Sequence, residues 1–186
     1  MNKTMIASAM AVMMFTSAGV HADQETGKVD AGVHAAQGTG KVNFKGVIIN
    51  APCSIDPKSA NQTIDFGQLS KSHLNKGGIS IEKDVAIELL NCDTATLTDK
   101  AVKVSFDGQP VAKADTELAT SGSAKNVAIV LNGYGKNVVW GKQTEGLKLT
   151  NGTNTLMFKA WAKKAATGEV TEGDFAATTN FTLSYN

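Results

Sequence analysis

Phe175-Ala-Ala-Thr-Thr-Asn-Phe-Thr-Leu-Ser-Tyr-Asn186 closes the sequence, and its alternation governs how the rest is read. Phe175, Ala177, Thr179, Phe181, Leu183 and Tyr185 share one parity, while Ala176, Thr178, Asn180, Thr182 and Ser184 share the other. A period of two with one apolar and one polar face is the pattern of a half-buried β-strand. The expectation is that no hairpin brings a further strand to this segment, so one of its edges stays open. An open edge beside an apolar face invites pairing with another chain. The sequence therefore points to strand pairing as the function.

Upstream, the chain is a succession of short apolar stretches. Lys41 to Asn50 is strand-like, with Val42, Phe44, Gly46 and Ile48 in phase, and Pro52 ends regular pairing beside Cys53. Further candidate strands lie at Thr63 to Leu69, Val85 to Cys92, Val102 to Phe106, Val127 to Leu131, Val138 to Trp140, Leu147 to Leu149 and Leu156 to Ala162. Turn signals separate them: Lys76-Gly-Gly78, Asp107-Gly108, Asn132-Gly133, Asn151-Gly152 and Thr167-Gly168. This spacing predicts an all-β, antiparallel sandwich. Helical periodicity is absent, apart from at most one turn at Lys71 to Lys76.

At the other end, Lys3 precedes an apolar run from Met5 to Phe15, and Val20-His-Ala22 places small residues where a signal peptidase reads them. Residues 1–22 are thus expected to be a secretory signal peptide, too short in its apolar run to span a membrane. The mature chain is expected to be exported and soluble, with no direct membrane insertion. Gly19-Val-His-Ala-Asp-Gln-Glu-Thr-Gly-Lys-Val-Asp30 is then nearly repeated as Gly32-Val-His-Ala-Ala-Gln-Gly-Thr-Gly-Lys-Val-Asn43, at an offset of thirteen residues. Because the offset is odd, Val29, Ala31, Val33 and Ala35 fall on the parity opposite to Val42 and Phe44, so the two copies cannot act as one amphipathic strand. The expected organisation is a 23–46 N-terminal extension, whose residues 23–35 are a duplicated spacer, followed by one domain over 47–186.

An exported chain with two cysteines, Cys53 and Cys92, is expected to close one disulfide in an oxidising compartment. The loop of about 40 residues corresponds to about 4 kcal/mol in the chain-entropy account. A metal pair is the alternative, but His34 and His73 show no ligand spacing near either cysteine. The net charge is +1, and the basic residues are lysines throughout, so the bidentate contacts that Arg makes to phosphate and guanine are missing. Nucleic acid is excluded as an expected partner. No nucleophile motif, zinc-protease motif or phosphate loop is present. Glu82, Asp84 and Glu88 read as solvated strand or loop residues rather than a catalytic pair. Trp140 and Trp161 read as core or inter-sheet packing rather than a sugar platform. No enzymatic activity, cofactor or metal is expected.

The run Lys41-Val-Asn-Phe-Lys-Gly-Val-Ile-Ile-Asn-Ala-Pro-Cys-Ser-Ile55 resembles the pilins of chaperone–usher fimbriae, as do Ser59-Ala-Asn-Gln-Thr-Ile-Asp-Phe-Gly-Gln-Leu-Ser70, Ile87-Glu-Leu-Leu-Asn-Cys-Asp93 and the C-terminal strand. The likeness covers Gly38 to Asn186 and is greatest to the major rod subunits of P-pilus type. That family ends in a penultimate tyrosine with a glycine fourteenth from the end, and Tyr185 and Gly173 stand in those places. The duplicated 23–35 departs from it by lengthening the extension.

The resemblance implies an incomplete immunoglobulin-like sandwich that lacks its seventh strand and is completed by a donor strand from another chain. It implies an acceptor groove and chaperone-recognition face at Gly173, Phe175, Ala177, Phe181, Leu183 and Tyr185, and a donor strand at about 36–46 carrying Val42, Phe44 and Gly46. The implied partners are neighbouring pilin subunits, a periplasmic chaperone and an outer-membrane usher, with the product carried through the periplasm to a fimbrium on the cell surface. The function expected is a structural subunit of an adhesive pilus, the major rod subunit, assembled head to tail. A minor adaptor or terminator pilin and an exported immunoglobulin-like carbohydrate-binding module are the alternatives.

Overall fold

The structure is a computed structural model that describes residues 39–186. By its internal contacts the chain divides into Met1–Gly46 and Val47–Asn186. The signal peptide at 1–22, the spacer at 23–35 and residues 36–38 of the donor segment lie outside the described residues. Residues 39–46, the described part of the first unit, form no helix or strand, contrary to the strand-like reading of Lys41 onward.

The second unit runs through β1 (Ser54–Ile55), α1 (Pro57–Ala60), α2 (Lys71–Asn75), β2 (Lys83–Cys92), β3 (Ala101–Asp107), β4 (Pro110–Val111), β5 (Ala114–Ala119), β6 (Ser121–Gly122), β7 (Val127–Gly133), β8 (Lys136–Asn137), β9 (Leu147–Lys148), β10 (Gly152–Lys164), β11 (Phe175–Ala176) and β12 (Asn180–Tyr185). One sheet has the order β1-β2-β10-β7-β5-β4, with β8 also on β7, and a second has the order β12-β3-β9. β11 pairs with β6 in a two-stranded patch. Every strand pairing among the described residues is antiparallel.

The core follows from period two. On β10, Leu156, Phe158, Ala160 and Ala162 are buried, while Thr155, Met157 and Lys159 point outward. On β3, Val102, Val104 and Phe106 do the same from the facing sheet. The layers meet where the Phe106 and Phe158 rings lie edge to face, 5.0 Å between centroids, the arrangement aromatic quadrupoles favour.

Several expectations need correction. Asn132-Gly133 is not the turn: Gly133 is the last residue of β7, and the two-residue turn is Tyr134-Gly135, with φ of 55° and 80°. A Cβ at Gly133 would sit 2.4 Å from Cδ1 of Phe158, so this glycine serves packing, while the turn takes the positive dihedrals that suit a hairpin. Thr63 to Leu69 forms no strand and pairs with none among the described residues, and its alternation slips at Gly67, where φ is +64°. Val138 to Trp140 is irregular, held by single bonds from Val138 N–H to the Leu131 carbonyl and from Trp140 N–H to the Asp115 carbonyl. Trp140 is buried in the core, but Trp161 is half-buried on the outer face of β10, opposite Val130. The terminal segment is not one strand. It pairs with β6, releases at Ala177 to Thr179, and pairs again with β3.

Candidate functional site

Beside the C-terminal segment a groove of about 1260 Å³ opens into the sandwich. This exceeds the range of about 300–1,000 Å³ usual for small-molecule pockets. One wall is the unpaired run Asn61–Leu69, and the other is the chain from Val170 to Phe181. Its floor is the core itself, including Ile87, Phe106, Ile129, Leu131 and Trp140. Each wall is pinned near its start. The Gln62 amide donates to the Ala86 carbonyl at 2.8 Å, and Asn75 on α2 holds Val170 through its side-chain oxygen and amide, at 2.8 and 3.3 Å. Phe66 and Phe175 face each other from the two walls, 6.3 Å between centroids. β12 lies at the margin of its sheet and, among the described residues, pairs with no strand but β3.

Of the residues expected in an acceptor groove, Gly173, Phe175, Ala177 and Phe181 line it. Leu183 and Tyr185 continue the same face beyond it, half-buried against the core cluster. Burial pushes the Tyr185 phenol pKa up. Of the residues expected on a donor strand, Val42 and Phe44 are 73% and 92% exposed. Gly46 is exposed too, and Ile48, in phase with them, is almost bare. Cys53 and Cys92 are joined in a disulfide and buried.

A sequence profile of the family described as Fimbrial protein matches residues 42–186. The chain belongs to the fimbrial protein family. It is 43% identical over 198 residues to the Pap fimbrial major pilin protein of Escherichia coli, with both chains covered in full. It is 39% identical over 187 residues to the Major MR/P fimbria protein of Proteus mirabilis, covering all of this chain and 98% of that one. Among solved structures it is similar to the P pilus rod subunit PapA, at 44% identity and a TM-score of 0.70 over 73% of this chain and 100% of that one. A chain from the structure of a chaperone–usher pilus, solved in connection with rod uncoiling, is 45% identical at a TM-score of 0.77, covering 81% of this chain and 97% of that one. The immunoglobulin-like, all-β architecture expected from the sequence is the fold of these pilins.

In this fimbrial protein Gly173 has a backbone reason to be glycine. Its φ is +135°, and a Cβ there would lie 2.3 Å from Oγ of Ser123 and 2.6 Å from the Ala124 nitrogen. Gly122, at φ +125°, is its counterpart: a Cβ would lie 2.2 Å from the Asp174 carbonyl oxygen. Asp174 N–H donates to the Ser123 hydroxyl and Ala124 N–H to the Asp174 carbonyl, each at 3.0 Å. Two stretches of main chain thus cross in contact at one end of the groove, which only glycine permits. Sequence reading passed over Gly122; the Ser121-Gly-Ser123 run was its one signal.

Proposed function

We propose that this fimbrial protein is the rod subunit of a surface pilus, polymerising head to tail by donor-strand exchange. The segment at about residues 36–46 of one subunit occupies the groove of the next and supplies the strand that its sandwich lacks. The observation that carries this is the groove: its floor is hydrophobic core, and its flank is a strand with one unpaired edge. A groove floored by core side chains is poorly suited to stay in water, and an unpaired edge supplies backbone partners for an entering strand. The exposed alternation of Val42, Phe44 and Gly46 has the matching period. Because donor and acceptor surfaces differ, the contact is heterologous and does not close, which gives a filament. Relatives described as major pilins favour the rod role over an adaptor, a terminator or a carbohydrate-binding module. Within the same reading, a periplasmic chaperone strand fills the groove before assembly, an outer-membrane usher exchanges it for the donor, and the polymer reaches the cell surface. Strand addition of this kind is a known mode of chaperone–pilin recognition.

Grafting residues 36–46 behind a flexible linker after Asn186 should give a self-complemented monomer with a much higher melting temperature than the ungrafted subunit. Phe44→Asp should abolish fibres. A graft of residues 23–35 should not stabilise, since its Ala31 replaces a Phe whose burial contributes about 2–3 kcal/mol. Equal stabilisation by both grafts would sink the donor assignment.

A further inference from the structure

Two pairs of exposed aliphatic side chains flank one strand. Val47 and Ile49 are 85% and 56% exposed, and Ile79 and Ile81 are 42% and 81% exposed. Val47 and Ile49 lead into Pro52, whose carbonyl accepts the Asp93 N–H at 2.9 Å, so this segment joins the domain at the Cys92 end of β2. Ile79 and Ile81 lead into Lys83 at the other end, where Ser80 N–H bonds the Ala162 carbonyl at 2.8 Å. β2 is ten residues long, so the pairs stand about 30 Å apart along it and do not meet within one subunit.

Polarity brings them together between subunits. The Phe175 end of the groove adjoins α2, through the Lys71–Glu172 ion pair at 2.6 Å and the Asn75–Val170 hydrogen bonds, and α2 leads directly into Gly77–Ile81. The Tyr185 end lies beside Asp99 and Ala101, which bond the main chain of Asn186. In a fold where every described pairing is antiparallel, an occupant antiparallel to β12 enters at Tyr185 and leaves at Phe175. The residues that follow the donor strand, Val47 and Ile49, then emerge beside the acceptor's Ile79 and Ile81. They lie on the parity opposite to Val42, Phe44, Gly46 and Ile48, so they face away from the groove while those face into it.

Resting on the donor-strand reading above, we propose that consecutive subunits share a second, apolar contact outside the groove. In it, Val47 and Ile49 of one copy pack against Ile79 and Ile81 of the next. The partner is a second copy of this chain because the contact continues directly from the strand that joins the copies. It would also bury four large aliphatic side chains that are otherwise exposed as two separate pairs.

The test is paired cysteines in assembled fibres. Val47→Cys with Ile81→Cys, oxidised and then heated in SDS without reductant, should leave a ladder of covalent multimers that collapses to monomer on reduction. Either substitution alone should run as monomer. Ile49→Cys with Ile79→Cys probes the same contact independently should the first pair assemble poorly. Fibres of both pairs that dissociate wholly to monomer would overturn the second contact while leaving the groove reading intact, and so would a single variant that gives the ladder. Normal fibres from Phe44→Asp would overturn the groove reading, and the second contact with it.

Discussion

β10 and the segment from Phe175 to Tyr185 carry the same alternation of apolar and polar residues, yet they end in different states. β10 is hydrogen-bonded on both edges, to β2 and to β7, and its inward residues are buried. Among the described residues β12 pairs with β3 on one edge only, and Phe181, Leu183 and Tyr185 remain half-buried. The side-chain period decides which face turns inward; it says nothing about how many edges find partners. Among the described residues both strands satisfy the first property, and only β10 satisfies the second on both edges.

Substitutions can separate the two. Phe158→Ala removes a ring buried on a saturated strand and should cost about 3–5 kcal/mol. The denaturant midpoint should fall by the same amount whether or not a grafted donor strand is present; a loss confined to the grafted protein would contradict the comparison. Phe181→Ala should behave otherwise. With the graft in place it should cost about 2–3 kcal/mol, and markedly less without it, because the occupant completes the burial of this ring. Equal losses in both forms would mean that the groove occupant never reaches Phe181.

The smallest effect concerns pH. The Tyr185 phenol is pushed up by burial, so the folded chain keeps its proton above the unfolded value of about 10. That contribution is present below pH of about 10 and is lost as pH rises through the folded value. Against Tyr185→Phe, the parent protein should lose melting temperature more steeply above about pH 10 and run parallel below it. Parallel curves throughout would remove Tyr185 from the buried face.

Faces were legible in the sequence because alternation is local. The cores of β2, β3, β7 and β10 fall inside the predicted stretches, and the Cys53–Cys92 bond followed from export and an even cysteine count. Partners were less legible. Nothing near Phe175 states that it pairs with Gly122, more than fifty residues away, while Phe181 pairs with Phe106. Asn132-Gly133 carries the stronger hairpin signature, and it loses to Tyr134-Gly135 because the space that Gly133 leaves is filled by Phe158, a contact between distant strands. The Thr63 to Leu69 stretch reads as a strand because its apolar residues alternate up to Gly67, yet it pairs with no strand among the described residues.

The disulfide acquires a mechanical meaning in a fibre under tension. On the donor-strand reading proposed above, the pull from a neighbouring subunit enters this domain through Val47 to Pro52, ahead of β1, a strand of two residues bonded to β2. Pulled from its end, so short a strand would peel away, one hydrogen bond after another. Cys53 stands just ahead of it and is covalently tied to Cys92, the last residue of β2. Tension is therefore handed past β1 to the ten-residue β2, which shares it with β10 along an eight-pair register. Reduced fibres held at constant force should lengthen by unravelling from Cys53 onward, whereas oxidised fibres of the same subunit should not.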